Sequence, residues 1–203
     1  MDKRIKLIPT LSRTSPVLIA IGIVLNCILY PSYESFYLFI IYFIVSISNH
    51  TFKKISKLIY KLLNTKSLPL LGIGARPPRA HSCAFILDNT ISTSYGMPSG
   101  HSQTAWTFST YILLKIIKNY YNKYNNNKND INNKNIKIID YIWLVVSCIL
   151  IFSSAIYISY SRVYIEGCHT LHQVIVGGLI GIVSGFLIYY FENYAIDLLH
   201  KLY

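Results

Sequence analysis

Charge is scarce in this chain. Only 13% of its 203 residues are Asp, Glu, Lys or Arg, about half the ~25% of ordinary globular domains. Hydrophobic residues make up 53% and the mean hydropathy is +0.40, which excludes a disordered chain and argues against an ordinary soluble domain. Acid is scarcer still: eight Asp and Glu stand against 19 Lys and Arg, a net charge of +11. A basic excess suits nucleic acid, anionic lipid or a phosphorylated substrate. The apolar content favours the last two, and the dispersal of the lysines along the chain argues against nucleic acid. The four cysteines (Cys27, Cys83, Cys148, Cys168) form no C-x-x-C pair, and two of them lie inside apolar runs. Neither a zinc site nor a disulfide framework is indicated.

The length fits one domain. A membrane helix needs ~20 mostly apolar residues, and five segments approach this: about 15–30, 35–48, 102–118, 138–160 and 171–191. The basic residues before the first segment also suit a secretory signal peptide, but no A-x-A-like site follows, so a retained helix is expected. The second segment continues as an amphipathic helix with Lys53, Lys54, Lys57 and Lys61 on one face. In the fifth, Gly177, Gly181 and Gly185 form a smooth stripe for close helix approach. From Asn119 to Asn135, nine of 17 residues are asparagine, so a disordered connector is expected, with a low-complexity loop bounded at 119–137. The expected fold is therefore all-α: a single polytopic membrane domain over 1–203 with about five spanning helices.

Topology then does useful work. Segments three and four form a hairpin, which puts loops 64–101 and 161–169 on one side of the membrane. Those loops, with the first residues of the segments that follow them, hold GIGARPPRAHS with Arg76 and Arg79, YGMPSGHSQ with Ser99, Gly100 and His101, and SRVYIEGCHTLHQ with Arg162, His169, His172 and Gln173. Arginines give planar, bidentate bonds to phosphoryl oxygens. A Gly turn at a helix start lets backbone N–H groups approach an anion, and two histidines can divide nucleophilic and acid–base work. Each piece alone reads as a helix boundary, a cap or an interfacial histidine, and His169 with His172 at i,i+3 also suits a metal. The conjunction in two loops that share a side points to a phosphate site.

The order RP, PSGH, SR and H resembles the three-part signature of the type 2 phosphatidic acid phosphatase superfamily, over roughly residues 66–178. YGMPSGHSQ with SRVY and HTLHQVIVGG is most similar to its dolichyldiphosphatase-like branch. The resemblance implies a metal-independent lipid phosphatase with no cofactor, in the bilayer of an endoplasmic reticulum-type membrane, acting on a polyprenyl diphosphate. It implies His169 as nucleophile oriented by Gln173, His101 as acid and base, and Arg76, Arg162, Ser99 and Gly100 as phosphate ligands. Three positions depart from the pattern. The lysine expected seven residues before Arg76 is replaced by Pro69, leaving Lys66 or Lys61 as candidates and Arg79 as a further source of charge. Arg162 and His169 are separated by six residues where five are usual. An expected Asp is Gln173. Phosphatidic acid or another lipid phosphate is the alternative substrate, and a phosphotransferase is a rival that would release no free phosphate without an acceptor lipid. A non-catalytic lipid-binding protein, which would trap no phosphohistidine, is the rival of another class. Counting basic residues by side, with proposed ligands set aside, gives nine against seven and leaves the orientation open.

Overall fold

A computed structural model of the chain describes residues 7–78, 80–81, 91–92, 94–126 and 134–202. Five long helices dominate: α1 (Leu7–Leu29), α2 (Tyr33–Leu62), α3 (Gly100–Asn126), α4 (Lys134–Tyr160) and α5 (Leu171–Leu202). This is the all-α membrane bundle that the apolar pattern predicts. Four helical stretches are long and apolar enough to cross a membrane, within residues 12–29, 33–62, 138–165 and 171–201. Helix α3 is not among them. Its Ser102, Gln103, Thr104, Thr107, Ser109 and Thr110 are all buried, so its polarity faces the bundle. There Asn49 Nδ2 donates to Gln103 Oε1 at 2.8 Å, Gln103 Nε2 to Ser48 Oγ at 3.1 Å and Ser102 Oγ to the Val174 carbonyl at 2.8 Å. Polar bonds and small residues join helices whose apolar surfaces gain little by leaving lipid.

Ser32 caps α2, its hydroxyl accepting from the Ser35 N–H at 3.1 Å, and Glu34 follows in the first turn, where the helix dipole favours acid. Ile23, Tyr37, Ile41, Val45 and Phe108 then join α1, α2 and α3 in one apolar cluster. The glycine stripe of α5 meets α3. A Cβ on Gly177, Gly181 or Gly185 would fall 2.6, 2.5 and 2.6 Å from the carbonyl oxygens of Ser99, Gln103 and Thr107. Backbone lies against backbone, which fixes the start of α3 beside the start of α5.

The asparagine-rich connector differs from expectation. Helix α3 continues to Asn126 and α4 begins at Lys134, so only residues 127–133 of the expected loop fall outside the described residues. A packed helix propagates at the cost of one residue per added bond. Here Tyr120 also stacks on Tyr124 at i,i+4, and Lys123 pairs with Asp140 of α4 at 2.7 Å. Polarity in this stretch predicts solvent exposure and says little about helix.

A small antiparallel ribbon, β1 (Ser67–Leu68) with β2 (Gly72–Ile73), lies between α2 and the loop that leads to α3. The chain leaves α4 through a π turn, Ser161–Ile165. Such turns occur mostly inside helices and often at functional sites.

Candidate active site

The two loops meet at one end of the bundle. A cavity of about 320 Å³ is lined by Arg76, Gly100, His101 and His169, with Lys53, Asn49 and His50 of α2 among the residues of its wall. Ser99 and Arg162 sit fully buried beside it.

His169 is held by its neighbours. Its Nδ1 donates to Gln173 Oε1 at 2.9 Å, one helical turn on, and the Thr170 N–H donates to the same oxygen at 3.3 Å. Gln173 is wholly buried, and its Nε2 donates to the carbonyls of Ile73 at 2.9 Å and Ala75 at 2.7 Å. These carbonyls fix the amide with its oxygen toward the imidazole, leaving His169 Nε2 unprotonated. Gln173 therefore performs the orienting half of a carboxylate's task.

Arg76 donates through Nη1 to the Cys168 carbonyl at 3.0 Å and through Nη2 to Ser94 Oγ at 3.0 Å. The RP loop is thereby fastened to the residue before His169. The Ser99 N–H donates to the Gln173 carbonyl and its own carbonyl accepts from the Gln103 N–H, both at 3.0 Å, so it opens α3. The Ser99 hydroxyl is buried and has no hydrogen-bond partner among the described residues. Gly100 follows as the first helical residue, where the N–H groups lack intrahelical acceptors.

The extra residue between Arg162 and His169 is taken up by the backbone. The π turn widens the exit from α4, Gly167 adopts a φ of +62°, and the N–H groups of Cys168 and His169 both donate to the Arg162 carbonyl, at 3.1 and 3.2 Å. His169, not Cys168, reaches the cavity. His172 instead lies against the turn at Gly72, so the i,i+3 histidine pair does not converge on one point.

Lys66 is exposed and does not line the cavity. Pro69, seven residues before Arg76, lies in the turn between β1 and β2. The ribbon occupies the stretch of chain from which a loop lysine would reach inward, and Lys53 of α2 lines the cavity in its place. Lys61 is also exposed and outside the lining, and Arg79 lies outside the described residues. The missed residues did leave a signal: Ser46, Asn49, His50 and Lys53 recur at helical spacing on one face of a membrane span. Asn49, which also begins an N-x-T sequon, is buried and bonded to Gln103.

Burial and nearby cations hold both imidazoles neutral. Desolvation and then Arg162 lower the pKa of His101 to about 3; its hydrogen bond to the Arg13 carbonyl opposes them, and Lys53 and Arg76 add smaller lowering effects. Desolvation and then Arg76 likewise push His169 well below its usual value, with Lys53 and His101 adding to the effect and the Gln173 bond opposing it. A site with this much positive charge is suited to a phosphate dianion, and a neutral imidazole is the form that attacks phosphorus.

Among curated proteins, the chain is 35% identical over 92 residues to "Dolichyldiphosphatase 1" of Rhinolophus ferrumequinum, covering 45% of this chain and 34% of the relative. It is 37% identical over 91 residues to the protein of that name from Homo sapiens, with the same coverage. The matched stretch thus spans about a third of the length of these relatives. No solved structure is a significant match. The model of the PAP2 superfamily matches residues 35–197, a stretch that contains the cavity's two loops and both histidines, and the chain belongs to that superfamily.

Proposed function

We propose that the protein is an integral membrane lipid phosphatase that removes the terminal phosphate of a polyprenyl diphosphate through a phosphohistidine. His169 Nε2 attacks phosphorus, forming the P–N bond as the P–O bond to the leaving group breaks. His101, which takes up a proton as the phosphate dianion binds, gives that proton to the departing oxygen. It then takes one from the water that attacks phosphorus and frees His169. Arg76, Lys53 and Arg162, with the Ser99 hydroxyl and the N–H groups at the start of α3, bear the charge of the equatorial oxygens. Preorganised donors of this kind are each worth roughly 3–4 kcal/mol, and acid assistance contributes about 10²–10⁴-fold.

The observation that carries this reading is that both neutral imidazoles share one cavity with Arg76 and Lys53, while no carboxylate lines it among the described residues. The choice of substrate is supported by the site's place at the end of membrane-spanning helices, which suits a charged head in water and an isoprenyl tail in lipid. It is also supported by the names of the relatives. An endoplasmic reticulum-type membrane goes with that substrate. Phosphate release from purified protein, measured on polyprenyl diphosphates and lipid monophosphates with chelator present, tests the reading. Release from diphosphates that persists with chelator supports it. A preference for phosphatidic acid reassigns the substrate, and no release from any of them removes the enzyme reading.

A further inference from the structure

Helix α1 reaches into the site. Pro16, inside α1, has no N–H, so the Ser12 carbonyl lacks its helical donor. The Ser15 hydroxyl takes that carbonyl at 2.9 Å. One residue on, the Arg13 carbonyl accepts a hydrogen bond from His101 Nε2 at 3.0 Å. The same turn is fastened to the π turn and the loop after it. Arg162 Nη2 donates to Ser12 Oγ at 2.7 Å, and Ser12 Oγ also bonds the Ser161 hydroxyl. Arg13 Nε and Nη2 each lie 2.5 Å from Glu166 Oε2, with the Glu166 side chain 2% exposed.

A carbonyl only accepts, so His101 carries its proton on Nε2 and presents Nδ1 as a lone pair. His169 is arranged in the opposite sense, with Nδ1 protonated toward Gln173 and Nε2 bare. We propose that α1 is the positioning element of the proton-transferring histidine. The Arg13 carbonyl sets the tautomer and ring orientation of His101, so that Nδ1 is the atom that gives the proton to the leaving oxygen and receives one from water. The Arg13–Glu166 pair holds that carbonyl in place. The proton count closes: His101 is neutral in the empty cavity, takes up a proton from solvent at Nδ1 as the phosphate dianion binds, loses it to the leaving group, and regains one at Nδ1 from the attacking water, while Nε2–H stays on the carbonyl throughout. The inference rests on the reading of His101 as the acid–base group.

The test uses the full chain labelled with ¹⁵N-histidine, its His101 signals assigned by difference against His101→Gln. The expected result is a proton on Nε2 and none on Nδ1 at neutral pH, with Nδ1 gaining one when vanadate binds. A proton on Nδ1 in the free protein, or exchange between tautomers as in free imidazole, overturns it. Arg13→Gln and Glu166→Gln are each expected to lower kcat by up to about a hundredfold, as a displaced catalytic group does, with KM little changed. The reversed pair Arg13→Glu with Glu166→Arg is expected to recover most of the loss. Unchanged kcat in both single variants overturns the role given to the pair. The tautomer is read from the protein whether or not it turns over, so a wrong tautomer in an active phosphatase sinks this inference alone, whereas an inactive protein sinks the functional reading and the proton-transfer role with it.

Discussion

The bundle holds two buried polar clusters, and they are finished to different degrees. Near the far end, Glu192 is 2% exposed and accepts from Tyr111 at 2.6 Å and from Lys115 at 2.9 Å. Acid and base are matched there and the carboxylate is satisfied. At the histidine end, Arg76, Arg162 and Lys53 surround two neutral imidazoles, and the buried hydroxyls of Ser99 and Thr170 have no partner among the described residues. Glu166, the acid closest in sequence to His169, is engaged by Arg13. A satisfied cluster holds helices together, whereas a cationic one with spare donors is completed by an anion.

Substitutions at the two ends should therefore separate activity from stability. The largest effect is expected from His169→Ala, which removes the proposed attacking atom: phosphate release should fall by about 10⁴-fold or more while the folded fraction in detergent is unchanged. His101→Ala is expected to cost about 10²–10⁴-fold, read from the same assay. Lys53→Ala should cost roughly 10²-fold or more, as the loss of one preorganised charge does, with Lys66→Ala near wild type. Equal effects of these two lysine variants would remove α2 from the site. At the other end, Glu192→Gln should lower stability by about 1–3 kcal/mol, seen as an earlier thermal transition, with turnover retained at permissive temperature.

The sites should also differ in their response to pH. With the His101 pKa at about 3 in the empty cavity, an incoming oxyanion raises it and proton uptake accompanies binding. Vanadate affinity should therefore rise as the pH falls through the bound-state pKa, a trend to be followed by titration between about pH 8 and 5. Affinity that falls with falling pH over that range would mean that the imidazoles are already charged before the ligand arrives.

Much of this arrangement was legible in the residues. Periodicity and apolar length locate all five helices, and the hairpin of the third and fourth segments puts Arg76, His101 and His169 on one side. The glycine stripe announced its own contact. What stayed hidden is long-range. Lys53 belongs to a run of similar lysines, and which of them lines the cavity depends on how α2 packs, which their spacing does not record. The reach of Arg13 to His101 depends on a carbonyl, which every residue possesses, and on the path of α1 beside α3. The helical ends of the asparagine segment are fixed by packing that its composition does not record.

The most direct measurement is rapid-quench trapping with a substrate radiolabelled in its terminal phosphate. The account predicts an acid-labile, base-stable phosphoryl adduct on His169 that forms and decays within turnover, is absent in His169→Ala, and accumulates in His101→Ala as hydrolysis slows. Full turnover with no adduct, or an adduct on another residue, would contradict it.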